Sequence, residues 1–547
     1  MTRYSVRFRR SVATLPLAAA ALFACASGAA ATASPVRPTA PSAEGSSRAE
    51  SPSLVVLITI DQFCADYLQR FGAQMTGGIA RLMRGGAWFT NAHHDHAITE
   101  TAPGHATLLS GRFPRSTGIM MNSIGVDDDA SPLLANGYGP GASPRRFQGT
   151  TLVDWMRKVN GKTRTLSVSM KDRGAILPNG KSPGEVYWYS PDGRFVTSSY
   201  FQKSLPTWVR AFNERQVAAS YAGKVWSLML ADSAYAEPDS VPIESSGRNF
   251  LFPHKVPEDV FDAVNMVRLS PFIDDVVASF AISGVRALDL GATPTRTDLL
   301  AMSLSATDVI GHAFGPDSRE IHDQVLQVDR VIGAFLDSLY AIRDSSSITV
   351  VLTSDHGVSR IPELAASSEV PPSQRMSLAH LLPAVRAKLR DAKIDTSAFV
   401  MDQALVLLDR AAFRRKSLDP DSLLDFFATL ARQEPGVARV DRFKALLADS
   451  ANDVIARRWT HQFPAAVNVE MIITLTKYST WGGNVASHGS AYDYDSQVPL
   501  IFAGFGIAPG KHAEFVRTVD LAPTLAELLG VTPLEPIDGK PLSKARK

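Results

Sequence analysis

The sequence predicts an α/β protein built on a mostly parallel central sheet, flanked by helices and carrying cap insertions. Three observations predict it. Leu54–Ile60, Asp298–Ser305 and Ile348–Thr353 are near-continuous apolar runs rich in branched side chains, the pattern of strands covered on both faces. Each run is followed within a few residues by a carboxylate: Asp61, Asp308 and Asp355. Amphipathic stretches lie between them, most clearly Asp317–Tyr340, where Ile321, Val325, Val328, Ile332, Phe335 and Leu339 share one helical face. Open α/β sheets bind ligands beyond the carboxyl ends of their strands, so the three carboxylates are candidate metal ligands.

A chain of 547 residues with 45% hydrophobic and 20% charged residues has room for one large domain with insertions. Its 56 basic and 54 acidic residues leave a net charge of +2. No global field therefore points to nucleic acid or to an anionic membrane, and any anion must be held locally.

Taken in order, residues 1–33 read as an export signal: Arg3, Arg7, Arg9 and Arg10 precede an apolar run from Val12 to Ala24 and a small-residue stretch ending at Ala33. The run is too short to remain as a transmembrane segment, and no later one is long and apolar enough. The expected location is periplasmic or secreted. Leu22-Phe23-Ala24-Cys25 loosely matches a lipoprotein cleavage box, with Phe23 atypical, so cleavage near Ala33 is expected ahead of lipidation at Cys25. Cys64 would then be the only cysteine in the body of the domain, which excludes a disulfide framework. Residues 34–50, rich in Ala, Ser and Pro, read as a flexible spacer.

The core begins with Leu54–Ile60. Further on, Thr101-Ala102-Pro103-Gly104-His105 suits the first turn of a short helix, with Gly111 able to close it in a left-handed conformation. Thr101 would then lie where unpaired N–H groups and the helix dipole favour an alkoxide and a phosphate. In isolation such a threonine is usually a cap; the rest of the chain decides. Asn122 follows in a loop. Thr163–Met170 reads as a strand running into Lys171 and Arg173, which two-residue spacing on extended chain would aim at one anion. Residues 185 to about 290 look like an elaboration over the sheet edge.

Asp308 and His312 stand four apart after the 298–305 strand and can converge on one ion. After Ile348–Thr353, Gly357 is expected to turn the backbone so that Asp355 and His356 need not point to opposite faces. Residues 362–484 carry a helix-and-strand pattern of their own, including a helical Met376–Leu389 and a strand Phe399–Leu408, and read as a cap subdomain inserted in the core of 51–361 and 485–547. The core resumes with His488, a strand Val498–Phe502, and a last helix from Asp520 and Pro523 to Gly530.

Three carboxylates and three imidazoles without thiolate, beside one hydroxyl, form an inventory for two catalytic ions of the Zn²⁺ or Mn²⁺ kind. With these motifs in this order, the chain resembles the alkaline phosphatase superfamily, and within it the PafA-type bacterial alkaline phosphatases. The resemblance runs from Leu54 to Thr518-Val519-Asp520-Leu521-Ala522-Pro523. It implies two Zn²⁺, one held by Asp308, His312 and His488 and the other by Asp61, Asp355 and His356. It implies Thr101 as the nucleophile of a phosphothreonine intermediate. Asn122, Lys171 and Arg173 would contact the phosphoryl oxygens of small-molecule monoesters, and the enzyme would be a monomer.

His93, His94 and His96 match no ligand position and read as surface or strand histidines. His105 reads as a support for the helix mouth, and Cys64 as packed near the Asp61 loop. A phosphodiesterase or nucleotide pyrophosphatase of the same superfamily is the alternative activity. Lys171 with Arg173 argues against it, because together they suit a dianionic terminal phosphate. A sulfatase fits less well, since Thr101 and His105 stand where its Cys or Ser and Arg are expected. A binding protein without turnover would have no use for a nucleophile.

Overall fold

A computed structural model describes residues 51–547 apart from 136, 138, 370 and 371; the expected export signal and spacer lie outside the described residues. Its centre is a ten-stranded sheet. In chain order the strands are β1 (Leu54–Ile60), β2 (Ala87–His93), β3 (Thr165–Ser169), β4 (Glu185–Tyr189), β5 (Phe195–Val196), β6 (Asp298–Leu304), β7 (Ile348–Thr353), β8 (Gln497–Gly504), β9 (Gly510–His512) and β10 (Val516–Arg517). Their spatial order is β9-β2-β8-β7-β1-β6-β3-β4-β5, with β10 also on β2. β1 pairs in parallel with both β6 and β7, and β3 with both β6 and β4. β8 runs antiparallel between β2 and β7, and β5 antiparallel to β4.

All seven residues of β1 are buried, and their alternation explains why. Leu54, Val56, Ile58 and Ile60 face one core, under the helices Phe272–Ala287 and Arg319–Tyr340. Val55 and Leu57 face another with Leu152, Trp155, Leu521 and Leu525. A strand with an apolar layer on each side has little use for a polar position, hence the near-continuous run.

Residues 185–196, expected as an elaboration, are sheet strands β4 and β5; the aromatics Tyr187, Trp188 and Tyr189 fill the two faces at that edge. The expected strand Phe399–Leu408 is instead a hairpin, Phe399–Asp402 paired antiparallel with Leu405–Leu408. Its apolar run is interrupted by the polar pair Asp402-Gln403, which is where the chain reverses. This hairpin joins Met471–Leu475 and Val437–Arg442 in a separate four-stranded sheet with its own core around Val406, Leu424, Phe427 and Ile473. The expected helix Met376–Leu389 starts later, at Leu382, after a short strand Arg375–Met376. Among the described residues, no helix is long and apolar enough to cross a membrane.

Candidate active site

The parallel register sets the level of the site. Ile60 lies beside Leu304, Thr59 beside Thr353, and Ser169 beside Ser303, so the segments leaving β1, β6, β7 and β3 emerge at one edge. Asp61, Asp308, Asp355 and Lys171 stand on those segments. β8 runs the other way, which brings its approach, with His488, to the same edge.

Thr101 opens the helix Thr101–Leu108, as expected, and Gly111 follows with φ +63°. The helix lies against the Asp355 loop so closely that a Cβ on Gly104 would come 2.2 Å from the Asp355 carbonyl oxygen. Gly104→Ala is therefore expected to destabilise the protein. Alanine's helix preference is worth about 1 kcal/mol, whereas forcing a backbone contact apart costs about 1–3 kcal/mol. A lowered Tm with reduced turnover is the expected result, and an unchanged Tm would show that the helix can shift. Gly357 has a related reason, not the one its sequence suggested. It does not use a left-handed conformation; a Cβ there would lie 2.1 Å from the Tyr494 carbonyl oxygen.

Asp308 and His312 lie one turn apart on the helix Ala306–Phe314, with His312 Nε2 3.3 Å from Asp308 Oδ1. His488 Nε2 is 3.7 Å from the same oxygen. His356 Nε2 lies 3.5 Å from Asp61 Oδ1 and 3.6 Å from Asp355 Oδ2. The Lys171 ammonium sits 2.6 Å from both Asp61 and Asp308, and donates to Thr101 Oγ1 at 3.4 Å. Thr101 Oγ1 is also 3.4 Å from His356 Nε2. Asn122 Oδ1 accepts from the Ala102 N–H at 2.8 Å, which leaves its amide hydrogens for another acceptor.

Arg173 arrives differently from its expected place on a strand end. Lys171 is the N-cap and Arg173 is in the first turn of a helix, Asp172–Asn179. Its guanidinium lies 3.6 Å from the Asp172 carboxylate, its buried Nε makes no hydrogen bond, and its field reaches Asp61, Glu100 and His105.

The three imidazoles share one device. Nδ1 of His312, His356 and His488 meets the carbonyl of Ala486, Gly357 and Thr99 at 2.8, 2.9 and 2.8 Å. A carbonyl accepts only, so Nδ1 carries the proton and each Nε2 lone pair faces the centre.

Burial sets the protonation of the group. It pushes Asp61 up to about 6, with the Asp308 charge adding to it. Burial and then Asp61 hold Asp355 well above the carboxylate range. Asp308 is also raised by burial, but the Lys171 ammonium and His312 outweigh that and keep it well below its ordinary value. Burial and His312 take His488 down to about 3, so it is neutral. Asp61 Oδ1 and Asp355 Oδ2 are buried and accept no hydrogen bond. Three buried carboxylates facing one ammonium, with orphaned oxygens and free imidazole lone pairs, fit divalent cations. Ligand atoms fall within 4.8 Å of one another in three groups: Asp308, His312 and His488; Asp61, Asp308 and His356; and Asp61, His105 and Asp355.

Sequence reasoning passed over two residues at this site. Gln62 donates to Asp308 Oδ1 at 2.9 Å, while its own N–H donates to Asp355 Oδ1 at 3.1 Å. Glu100 accepts from the Asn122 N–H at 2.6 Å and so fixes the loop that carries Asn122. Both adjoin a recognised residue in sequence, which was the available signal. His105 Nε2 is 3.5 Å from Asp355 Oδ2, closer to the centre than a mere support of the helix mouth. The other three histidines, read as surface or strand groups, lie on or just past a strand and are buried rather than at the surface. His93 ends β2, and His94 and His96 are fully buried, with His94 bonded to Ser354 O and Thr518 Oγ1. Cys64 packs as expected, and burial pushes its thiol up to about 12.

Sheet, nucleophile position and cation-binding cluster together define a metal-dependent hydrolase. The chain belongs to the type I phosphodiesterase / nucleotide pyrophosphatase family, whose model matches residues 55–445. It is 28% identical over 517 residues to alkaline phosphatase PafA of Elizabethkingia meningoseptica, covering 90% of this chain and 94% of that one. It is 30% identical over 531 residues to alkaline phosphatase PhoK of a Sphingomonas species, covering 90% and 91%. The crystal structure of wild-type PafA superposes with a TM-score of 0.83 at 26% identity, covering 91% of this chain and 99% of that one. Murine ectonucleotide pyrophosphatase / phosphodiesterase 5 shares the fold, with a TM-score of 0.52 at 14% identity over 90% and 98%.

Proposed function

We propose that this member of the family is an alkaline phosphatase, a hydrolase of small-molecule phosphate monoesters that works through phosphorylation of Thr101. The observation that carries the reading is the Lys171 ammonium, 3.4 Å from Thr101 Oγ1 and locked between Asp61 and Asp308. The relatives matched over nine-tenths of the chain, PafA and PhoK, are named alkaline phosphatases.

The cations are proposed to be two Zn²⁺, one on Asp308, His312 and His488 and one on Asp61, Asp355 and His356. When bound they would favour the ionised hydroxyl and stabilise the leaving oxygen. Thr101 Oγ1 attacks phosphorus, the ester oxygen leaves with the bonding electron pair and takes up a proton, and water then releases phosphate and regenerates Thr101. Asn122, Lys171 and Arg173 hold the non-bridging oxygens, Arg173 with a planar pair of donors. Residues 1–33 would direct the enzyme to the periplasm or beyond, residues 362–484 would form its cap, and it would act as a monomer.

A second reading, a phosphodiesterase, takes support from the description of the family model. It is tested by charge. A diester has one of those oxygens esterified, so a contact from Asn122, Lys171 or Arg173 is lost or becomes a clash. Aryl monoesters are expected to be hydrolysed far faster than matched diesters. Lys171→Ala with Arg173→Ala should depress monoester kcat/KM by on the order of 10³-fold and diester kcat/KM much less. A wild type that prefers the diester, or an unchanged ratio in the double variant, would favour the phosphodiesterase.

A further inference from the structure

A cavity of about 350 Å³ opens beside the catalytic edge, with Glu100, Asn122, His312 and His488 on its inner side. Its outer side comes from residues 403–404 and 473–484, which belong to the second sheet and the segment after it. The volume is that of a site for an organic molecule, larger than a phosphoryl group needs.

Two features of the outer side are specific. Trp481 lines the cavity and is held in place by a short parallel pairing, Arg375–Met376 with Thr480–Trp481. It is half-buried and packs against the core of the second sheet, which holds it at the cavity wall. Beyond it, Gly482 and Gly483 leave open space where side chains would otherwise project. Opposite is the two-residue turn of the Phe399–Leu408 hairpin, where Gln403 is exposed with φ +49°. Glycine or asparagine is the ordinary choice for such a turn. A long amide held in that conformation at a cavity mouth points to a use for the side chain.

Charge narrows the occupant. Among the described lining residues there is no lysine or arginine, whereas Glu100 and Asp495 both line the cavity, and the Asp402 charge reaches Glu100. A second phosphate or a carboxylate on the organic group would meet no lysine or arginine in that lining and would face these carboxylates.

We propose that this cavity is the subsite for the organic group of the substrate, and that it takes an uncharged planar ring, aryl or nucleoside, packed on Trp481 with Gln403 hydrogen-bonding its edge. This rests on the monoesterase reading. Stacking of a base on an aromatic side chain is worth a factor of about 10 to 100. The indole supplies that attraction without contact to Thr101 or to the metal ligands.

The test is kcat/KM for ethyl phosphate, a nucleoside 5′-monophosphate, a nucleoside 3′,5′-bisphosphate and an aryl phosphate, in the wild type, Trp481→Ala and Trp481→Phe. Ethyl phosphate and the 5′-monophosphate both release an alkoxide, so their ratio reports binding of the ring. The wild type should prefer the 5′-monophosphate to ethyl phosphate by about 10-fold or more and disfavour the bisphosphate. Trp481→Ala should erase that preference and lower aryl phosphate turnover, leaving ethyl phosphate and inhibition by inorganic phosphate unchanged. Trp481→Phe should restore most of it. A wild type indifferent to the ring, or a Trp481→Ala that loses ethyl phosphate turnover in equal measure, overturns the inference. A wild type that hydrolyses none of the monoesters overturns the proposed function itself, which is a different result.

Discussion

Thr101→Ala is expected to lower kcat for a phosphate monoester by on the order of 10⁴-fold or more while leaving bound metal unchanged. The hydroxyl has no substitute nearby. Its neighbours within hydrogen-bonding reach are His356 Nε2 and the Lys171 ammonium, one facing the cation cluster and the other a donor. The metal-binding groups lie on Asp61, Asp308, Asp355 and histidines, so removing Oγ1 takes no ligand away. Thr101→Ser should retain turnover within about 100-fold, because serine keeps the oxygen and loses only the methyl that restricts its rotamer. Quenching the wild type in acid during turnover should trap phosphate on Thr101, detectable by mass spectrometry. Near wild-type turnover by Thr101→Ala would exclude the covalent route and leave a directly activated water.

Removing the charge of Asp308 is expected to have an effect of similar size through a different property, cation binding. Asp308 belongs to two of the three ligand groups and is the point where they meet. Asp308→Asn keeps the shape and discards the charge that draws Lys171, His312 and His488 together. Bound metal should fall by at least one ion per chain, and kcat/KM by about 10³-fold or more, as expected when a directly ligating group goes rather than an outer partner worth about 10–100-fold. Gln62→Ala supplies that smaller comparison, since Gln62 only donates a hydrogen bond to Asp308. Dialysis against a chelator should abolish wild-type activity and lower Tm, with both restored by Zn²⁺. Full metal content and activity in Asp308→Asn would remove this carboxylate from the site.

The parts of the fold that could be read in the sequence were those with one physical cause. Leu54–Ile60 is apolar apart from the buried Thr59 because both its faces are covered, and no helix of that length and composition competes with the assignment. The Arg319–Tyr340 helix was legible because one of its faces meets the core for six turns. Asp61, Asp308 and Asp355 could be placed because each immediately follows such a strand. Where two causes overlap, the pattern misleads. The run from Phe399 to Leu408 is broken only by the polar pair Asp402-Gln403, and without the glycine or asparagine usual in such a turn that mark was not read as a reversal. Lys171 and Arg173 do reach one region, yet through a helix that begins between them, which the spacing of two cannot distinguish from extended chain. Gly357 was recognised as required but for the wrong reason, since a close approach from Tyr494 involves a partner 137 positions away that no local pattern contains. The same holds for His94, whose burial depends on Ser354 and Thr518.

The antiparallel strand Gln497–Gly504 has a consequence for the order in which the molecule can assemble. Within the sheet, Ala87–His93 reaches the strands that carry Asp355 and Asp61 only across this strand, made some four hundred residues later. The chain that leaves Ala87–His93 goes on to Thr101, the proposed nucleophile, so the sheet partner that joins this segment to the other strands is made only in the last tenth of the polypeptide. His488 is added in the same late stretch. Pairings so distant in sequence form slowly, because the whole intervening loop must close first. An incomplete chain therefore holds the carboxylates of one half-site without the hydroxyl or the third imidazole beside them. A chain that ends before His488 is expected to be inert, which an activity assay of that truncation checks.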